Sequence, residues 1–342
     1  MVSLSVTMKS LKTIFPKLAA LAEVLLVLAA GNLIGELAFS LIMPASVLER
    51  TASDPLLAAA DGLLILFRLG TAGALGLLLL YWRTGMTARR TGVSTAGKPV
   101  LNLVGQGLLM GLVSGGLVAG LFALQELVGL GEGLSAWRTY SYQSLDLAFF
   151  ISVLGTSVLI PPLTEEIMTR AYMRSRIVEA FGPMAGVLIT ALVFSLSHTR
   201  YISADGMLAG FLLILIVNSC IWTYSAQRTG SILPAFVAHA VSNGVGTLVL
   251  FNVWWPLMVI VIGLIPWLGE LGSSIRGFRS DWREDIRKGS LWGGLLIIFV
   301  ILLLAMTGLS LFGRTITLAV IGAASFLLTA LLFATQKVNR GS

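Results

Sequence analysis

The sequence predicts an all-α polytopic membrane protein, a transmembrane helical bundle of about 10 spans built around a six-helix core. Three observations predict it. Of 342 residues, 56% are hydrophobic and only 11% are charged, more apolar surface than a soluble chain of this length can hide. The apolar residues fall in runs of about 20, the length a helix needs to cross a bilayer. Lys and Arg gather in alternate loops, the bias expected of cytoplasmic segments.

Ten runs qualify, at about 18–43, 61–82, 101–124, 145–163, 183–198, 206–225, 232–250, 255–269, 291–312 and 317–335; the fifth and eighth are short. With the N-terminus inside, Lys9, Lys12 and Lys17 precede the first span. Arg83, Arg89, Arg90, Lys98, Arg174, Arg176 and Arg228 then fall in inside loops, as do the basic residues from Arg276 to Lys288 and at the C-terminus. The outside keeps Arg50, Arg138, Arg200 and Arg314, while Arg68 and Arg170 lie within apolar or motif segments. Both termini are therefore expected in the cytoplasm, with a bacterial cell (inner) membrane as the location. The first run follows three lysines, as in a signal peptide. It is about 25 residues long, however, and has Pro44 at its end and no clear small-x-small cleavage site, which reads as an uncleaved signal anchor.

The net charge of +7 follows from this loop bias beside an anionic inner leaflet. No basic run is interleaved with aromatics, so the lipid bilayer is an expected partner and nucleic acid is not. The single cysteine, Cys220, excludes an internal disulfide and a cysteine metal cluster; a small thiol on an apolar helix reads as packing. Gly107, Gly111, Gly115, Gly116 and Gly120 lie along the third run, at spacings that let membrane helices approach closely. Polar stretches near 84–99 and 270–290 divide the chain. Residues 1–99 form an N-terminal helix pair and loop, 100–270 the working core, and 271–342 a cytoplasmic interfacial stretch and a C-terminal helix pair.

Within the core, ionisable residues persist where each costs roughly 2.5–3.5 kcal/mol at a bilayer centre, which marks a site. Both histidines are there, in Phe194-x-x-x-His198 and His239-x-x-x-Asn243, and Glu165-Glu166-x-x-x-Arg170 precedes them. Pro161 and Pro162 are expected to interrupt the fourth span, so that Thr164 caps a fresh helix with Glu165 and Glu166 in its first turn. Glu166 and Arg170 can then pair at i,i+4. The new helix turns at Phe181-Gly182-Pro183 and returns as the fifth span. In that hairpin Glu165 stands level with His198, both roughly 22–25 Å from the turn. His239 lies only about 12 Å into its own span. The depths agree only if the 226–231 loop dips inward or the hairpin projects into the cytosol.

Taken singly, each residue has a bland reading: Phe194 as packing, Asn243 as helix glue, a membrane histidine as an interhelical hydrogen-bond partner. Their co-occurrence within one stretch is what suggests chemistry. A carboxylate beside a neutral imidazole can take a proton from water, and a second imidazole with an amide can donate to an oxyanion. The same donors could instead hold a divalent metal such as zinc through Glu165, His198 and His239.

The three motifs, in this order, resemble those of the CPBP family, which comprises type II CAAX prenyl endopeptidases and bacteriocin-processing or self-immunity (Abi) proteins. The proline pair before the double glutamate adds to the resemblance, which covers about residues 100–270; Ala171 stands where glycine is common. The resemblance implies an intramembrane endopeptidase acting on a membrane-associated peptide or protein. It implies Glu165 as general base with His198 assisting, His239 and Asn243 as the oxyanion site, and Glu166 and Arg170 as stabilisers of the helix bearing Glu165. It also admits a non-catalytic immunity or scaffold protein. Motifs of other intramembrane proteases are missing: there is no His-Glu-x-x-His, Gly-x-Gly-Asp or Gly-x-Ser-Gly.

Overall fold

The computed structural model describes residues 4–48, 55–129, 154–198, 206–250, 265 and 268–287. The eighth to tenth expected spans and the start of the fourth lie largely or wholly outside the described residues. The first half holds α1 (Leu4–Ile42), a short α2 (Ala45–Leu48), α3 (Pro55–Thr84), a short α4 (Ala88–Thr91) and α5 (Val100–Leu127). A composite helix follows over 154–181: a π-helical turn Leu154–Leu159, α6 (Ile160–Glu166), a second π-helical stretch Ile167–Met173 and α7 (Arg174–Phe181). Then come α8 (Pro183–Ser197), α9 (Gly206–Thr229), α10 (Leu233–Leu250) and α11 (Leu268–Arg287). Among the described residues Phe15–Ile42, Ala59–Thr84, Val100–Leu121 and Gly210–Thr229 are each long and apolar enough to cross a bilayer, and α8 is a shorter apolar helix. The chain is an integral membrane protein with an all-helical described fold.

The expected break at Pro161-Pro162 does not occur. Leu159 stands at the N-cap of α6, and the prolines sit within its first turn behind the wide π-helical turn. Proline is tolerated there because the first-turn donors have no intrahelical acceptor to lose. Thr164 is therefore not a cap. Its hydroxyl donates back to the carbonyls of Ile160 (3.0 Å) and Pro161 (3.2 Å), the habit of a threonine inside a helix. The hairpin turn does form as expected: Gly182 takes φ +90°, and Pro183 opens α8.

Two parallel pairings position the site. On α5, Gly107, Gly111 and Gly115 face Val237, Val241 and Val245 of α10; a Cβ on each glycine would lie 2.5–2.7 Å from the facing valine's Cβ. On α3, Gly62, Gly70 and Gly73 face Thr156, Thr164 and Ile167 of the composite helix, and Gly76 faces the Tyr172 ring. In lipid, close packing of this kind replaces the hydrophobic drive that holds soluble helices together. The sequence numbers rise together along both pairs, so α3 runs parallel to the composite helix and α5 parallel to α10.

A polar network ties α1 and α3 to the hairpin. Glu23, 6% exposed, receives Arg83 Nη1 and Arg176 Nε, each at 2.8 Å on Oε2. The Tyr172 hydroxyl donates to its Oε1 at 3.4 Å. Below this network Met168, Tyr172, Met173 and Ile177 pack on Ala20, Leu21 and Val24 of α1 and Leu80 of α3.

The two depths agree because the α9–α10 turn meets the composite helix partway along it, at Arg174. Arg174 Nε donates to the Arg170 carbonyl, Nη1 to Gln227 Oε1 (2.6 Å) and Nη2 to the Thr91 carbonyl. Ile232 N–H reaches the Gly92 carbonyl at 2.8 Å. The α9–α10 turn thus meets the composite helix at Arg174, and α7 continues about 10 Å beyond it at 1.5 Å per residue. Measured from Arg174, the tandem glutamates lie as deep as His239 does from its turn. The charged stretch near 270–290 forms α11, which lays Phe278 and Trp282 on Met184, Val187 and Tyr224; the Tyr224 hydroxyl donates to Asp281 Oδ2 at 2.9 Å.

Candidate active site

Neighbouring glutamates on the composite helix point about 100° apart, and the two carboxylates have different fates. Glu166 is fully buried. Its Oε1 accepts from Arg170 Nη1 at 2.9 Å and lies 2.9 Å from His239 Nδ1. Arg170, also fully buried, donates further to Thr169 Oγ1 (2.7 Å) and, across to α9, to Ser219 Oγ (2.7 Å) and Thr223 Oγ1 (3.3 Å). Its guanidinium lies 4.4 Å from the Phe194 ring centre and 5.5 Å from that of Trp222, distances at which a desolvated cation gains from ring faces. The second π-helical stretch carries Arg170, and such wide turns gather at functional sites.

Glu165 faces the other way. It is 9% exposed, and among the described residues no donor reaches its buried Oε2, whose neighbour is His239 Nε2 at 3.8 Å. Glu165 lines a cavity of about 350 Å³ together with Phe194, Ser197 and His198 of α8, Met168, Thr169 and Met173 of the composite helix, and Leu28, Asn32, Ile65, Arg68 and Leu69 from α1 and α3. His198 sits at the C-cap of α8, with Nδ1 2.9 Å from the Phe194 carbonyl. A carbonyl only accepts, so Nδ1 carries a proton.

The same reasoning sets His239. The ion-paired Glu166 carboxylate accepts at Oε1, so His239 donates from Nδ1 and turns Nε2 toward Glu165. Its ring stacks on Trp222 at 4.4 Å between centres, with 22° between planes, and meets the edge of Phe194; Trp222 Nε1 in turn donates to Ser114 Oγ of α5 at 3.0 Å. Asn243 is one turn along α10 on the same face as His239, half-buried.

The structure thus puts Glu165 and His198 on one cavity wall, with Glu166, Arg170 and His239 bonded to one another beside Glu165. Sequence reasoning missed Ser219, Trp222 and Thr223 on α9, and missed Ser114. A signal existed: the pattern Asn218-Ser219-x-x-Trp222-Thr223 puts polar groups on one face of an apolar run. Phe194, expected only to pack, also supplies the carbonyl that orients His198 and the ring beneath Arg170. The metal set fits poorly: among the described residues no three His, Cys, Asp or Glu side chains stand close enough to share an ion, and Glu166 is already committed to Arg170 and His239. No step is assigned to a metal.

A buried carboxylate beside two oriented imidazoles, held among apolar helices, defines a class, the helical membrane protein with a polar cluster in its interior. Over residues 147–245 the chain matches the family model described as Rce1-like, type II CAAX prenyl endopeptidase Rce1-like, and over those residues it is similar to that protease family. The match holds all three motifs and stops short of α1, α3 and α5. No curated protein and no solved structure shows a significant match to the chain.

Proposed function

We propose that this chain is an intramembrane endopeptidase that hydrolyses a peptide bond in a membrane-associated peptide or protein, of the CAAX type or in other C-terminal or propeptide processing. The observation that carries the proposal is Glu165: a buried carboxylate with no donor among the described residues, on the wall of the cavity that His198 also lines. Glu165 takes a proton from water as the water oxygen attacks the scissile carbonyl, and that proton passes to the departing amine. His198, its Nδ1 donating to the Phe194 carbonyl, holds the water. His239 and Asn243 face the developing oxyanion, where the Asn243 side-chain amide donates. Glu166 and Arg170 touch neither substrate nor water; they fix His239 and the π-helical turn.

The test is a prenylated or unprenylated C-terminal peptide incubated with the full chain in lipid. Glu165→Gln is expected to lower turnover by roughly 10²–10⁴, the usual contribution of a general base, at unchanged protein level. Cleavage at the wild-type rate by this variant removes the assignment. Chelator treatment is expected to leave turnover intact, with metal analysis finding less than one ion per chain; loss of turnover that added zinc restores would transfer the role to a metal. The bonded Glu166–Arg170–His239 set also suits a non-catalytic membrane scaffold. In that case Glu165→Gln would keep any cellular phenotype, while Glu166→Gln would lose it together with abundance.

A further inference from the structure

Arg68 is the charge in the middle of a long apolar helix, whose other charges, Asp61 and Arg83, lie toward its ends. The segment Ala59–Thr84 has a mean hydropathy of 2.1, and an arginine at membrane depth is costly enough to mark function by default. Among the described residues it is the only arginine or lysine lining the cavity that Glu165 and His198 share. Its Nε donates to Asn32 Oδ1 of α1 at 2.7 Å, and Glu36 Oε1 approaches the same nitrogen at 3.5 Å. Asn32 is itself held, its Nδ2 donating to the Leu28 carbonyl at 2.8 Å. One edge of the guanidinium is thus fixed to α1. Among the described residues no acceptor takes Nη1 or Nη2, and the side chain is 32% exposed. Two terminal amino groups in a rigid plane are the fork that a carboxylate fits in bidentate fashion. Glu36 competes weakly, since it is 55% exposed and reaches only the Nε edge.

The distance suits a short C-terminal overhang. Gly70 packs on Thr164 and Gly73 on Ile167, so Arg68 lies level with residue 162. That is about 5 Å along the helix axis from Glu165, plus the width of one tight helix contact. A peptide residue spans about 3.3–3.6 Å when extended, so two or three residues bridge the gap.

Resting on the peptidase reading, we propose that Arg68, oriented by Asn32, binds the free α-carboxylate of the substrate's C-terminus. The N-terminal helix pair, outside the family match, thereby restricts cleavage to chain ends. An arginine that merely glues α1 to α3 would not distinguish an acid from an amide.

The probe is N-acetyl-Val-Ile-photoleucine, as free acid and as C-terminal carboxamide, crosslinked to the full chain in phospholipid nanodiscs. The acid is expected to label α1 or α3 roughly tenfold more than the amide, the worth of one charge-assisted hydrogen bond. In Arg68→Gln the acid-to-amide ratio falls to about one, and Arg68→Lys restores part of it. The ratio is internal to each preparation, so partial misfolding does not mimic the result. A ratio near one in the wild type, or a preserved ratio in Arg68→Gln, overturns the proposal. Glu165→Gln separates the two readings: it keeps the labelling ratio while losing cleavage, and a variant that still cleaves sinks the catalytic assignment without touching the carboxylate site.

Discussion

Neutralising Glu166 gives the sharpest test of how the site is built. Glu166→Gln keeps the shape of the side chain and an acceptor oxygen for Arg170 and His239, and removes only the charge. Both partners of the ion pair have no solvent exposure and lie 2.9 Å apart. Breaking a buried pair from one side typically costs 3–5 kcal/mol, because the surviving charge remains buried without a counter-ion. Arg170 would keep the hydroxyls of Thr169, Ser219 and Thr223 and the ring faces of Phe194 and Trp222. The lower end, about 3 kcal/mol, is therefore expected. That is roughly a hundredfold shift in the folding equilibrium, readable as a lowered midpoint of SDS or thermal unfolding in detergent. Glu165→Gln, which breaks no hydrogen bond among the described residues, should move the midpoint by less than about 1 kcal/mol. The double variant Glu166→Leu with Arg170→Met should recover much of the loss, since an apolar pair of similar volume carries no desolvation cost. Equal destabilisation by the two single Gln variants, or none by Glu166→Gln, would refute the division of labour between the adjacent acids.

Trp222→Ala removes the stack on His239 and the bond to Ser114 and should cost about 3–5 kcal/mol in the same unfolding assay; Trp222→Phe keeps the ring contact and should cost about 1 kcal/mol. Gly76→Ala places a methyl group against the Tyr172 ring and should destabilise by about 1–3 kcal/mol, whereas Gly120→Ala, which meets nothing within 4 Å, should be neutral or slightly stabilising.

Helix packing explains why some of this was legible in the chain and some was not. Composition and run length determine that the protein lives in a bilayer as helices, because lipid offers backbone groups no other partner. The i,i+4 spacing brings Glu166 to Arg170, and Gly182-Pro183 dictates a hairpin that sets Glu165 at the height of His198. The sequence could not say that the composite helix runs unbroken through Pro161-Pro162, since that depends on a π-helical turn upstream. Nor could it say that the α9–α10 turn meets the composite helix at Arg174. Only tertiary packing decides that Glu165 opens to a cavity while Glu166 is sealed behind it, because adjacent helical residues diverge in direction and their surroundings come from α1, α3, α9 and α10. It likewise recruits Glu23, Trp222 and Arg68, residues tens of positions from any motif, because contacts between helices carry no local signature along the chain.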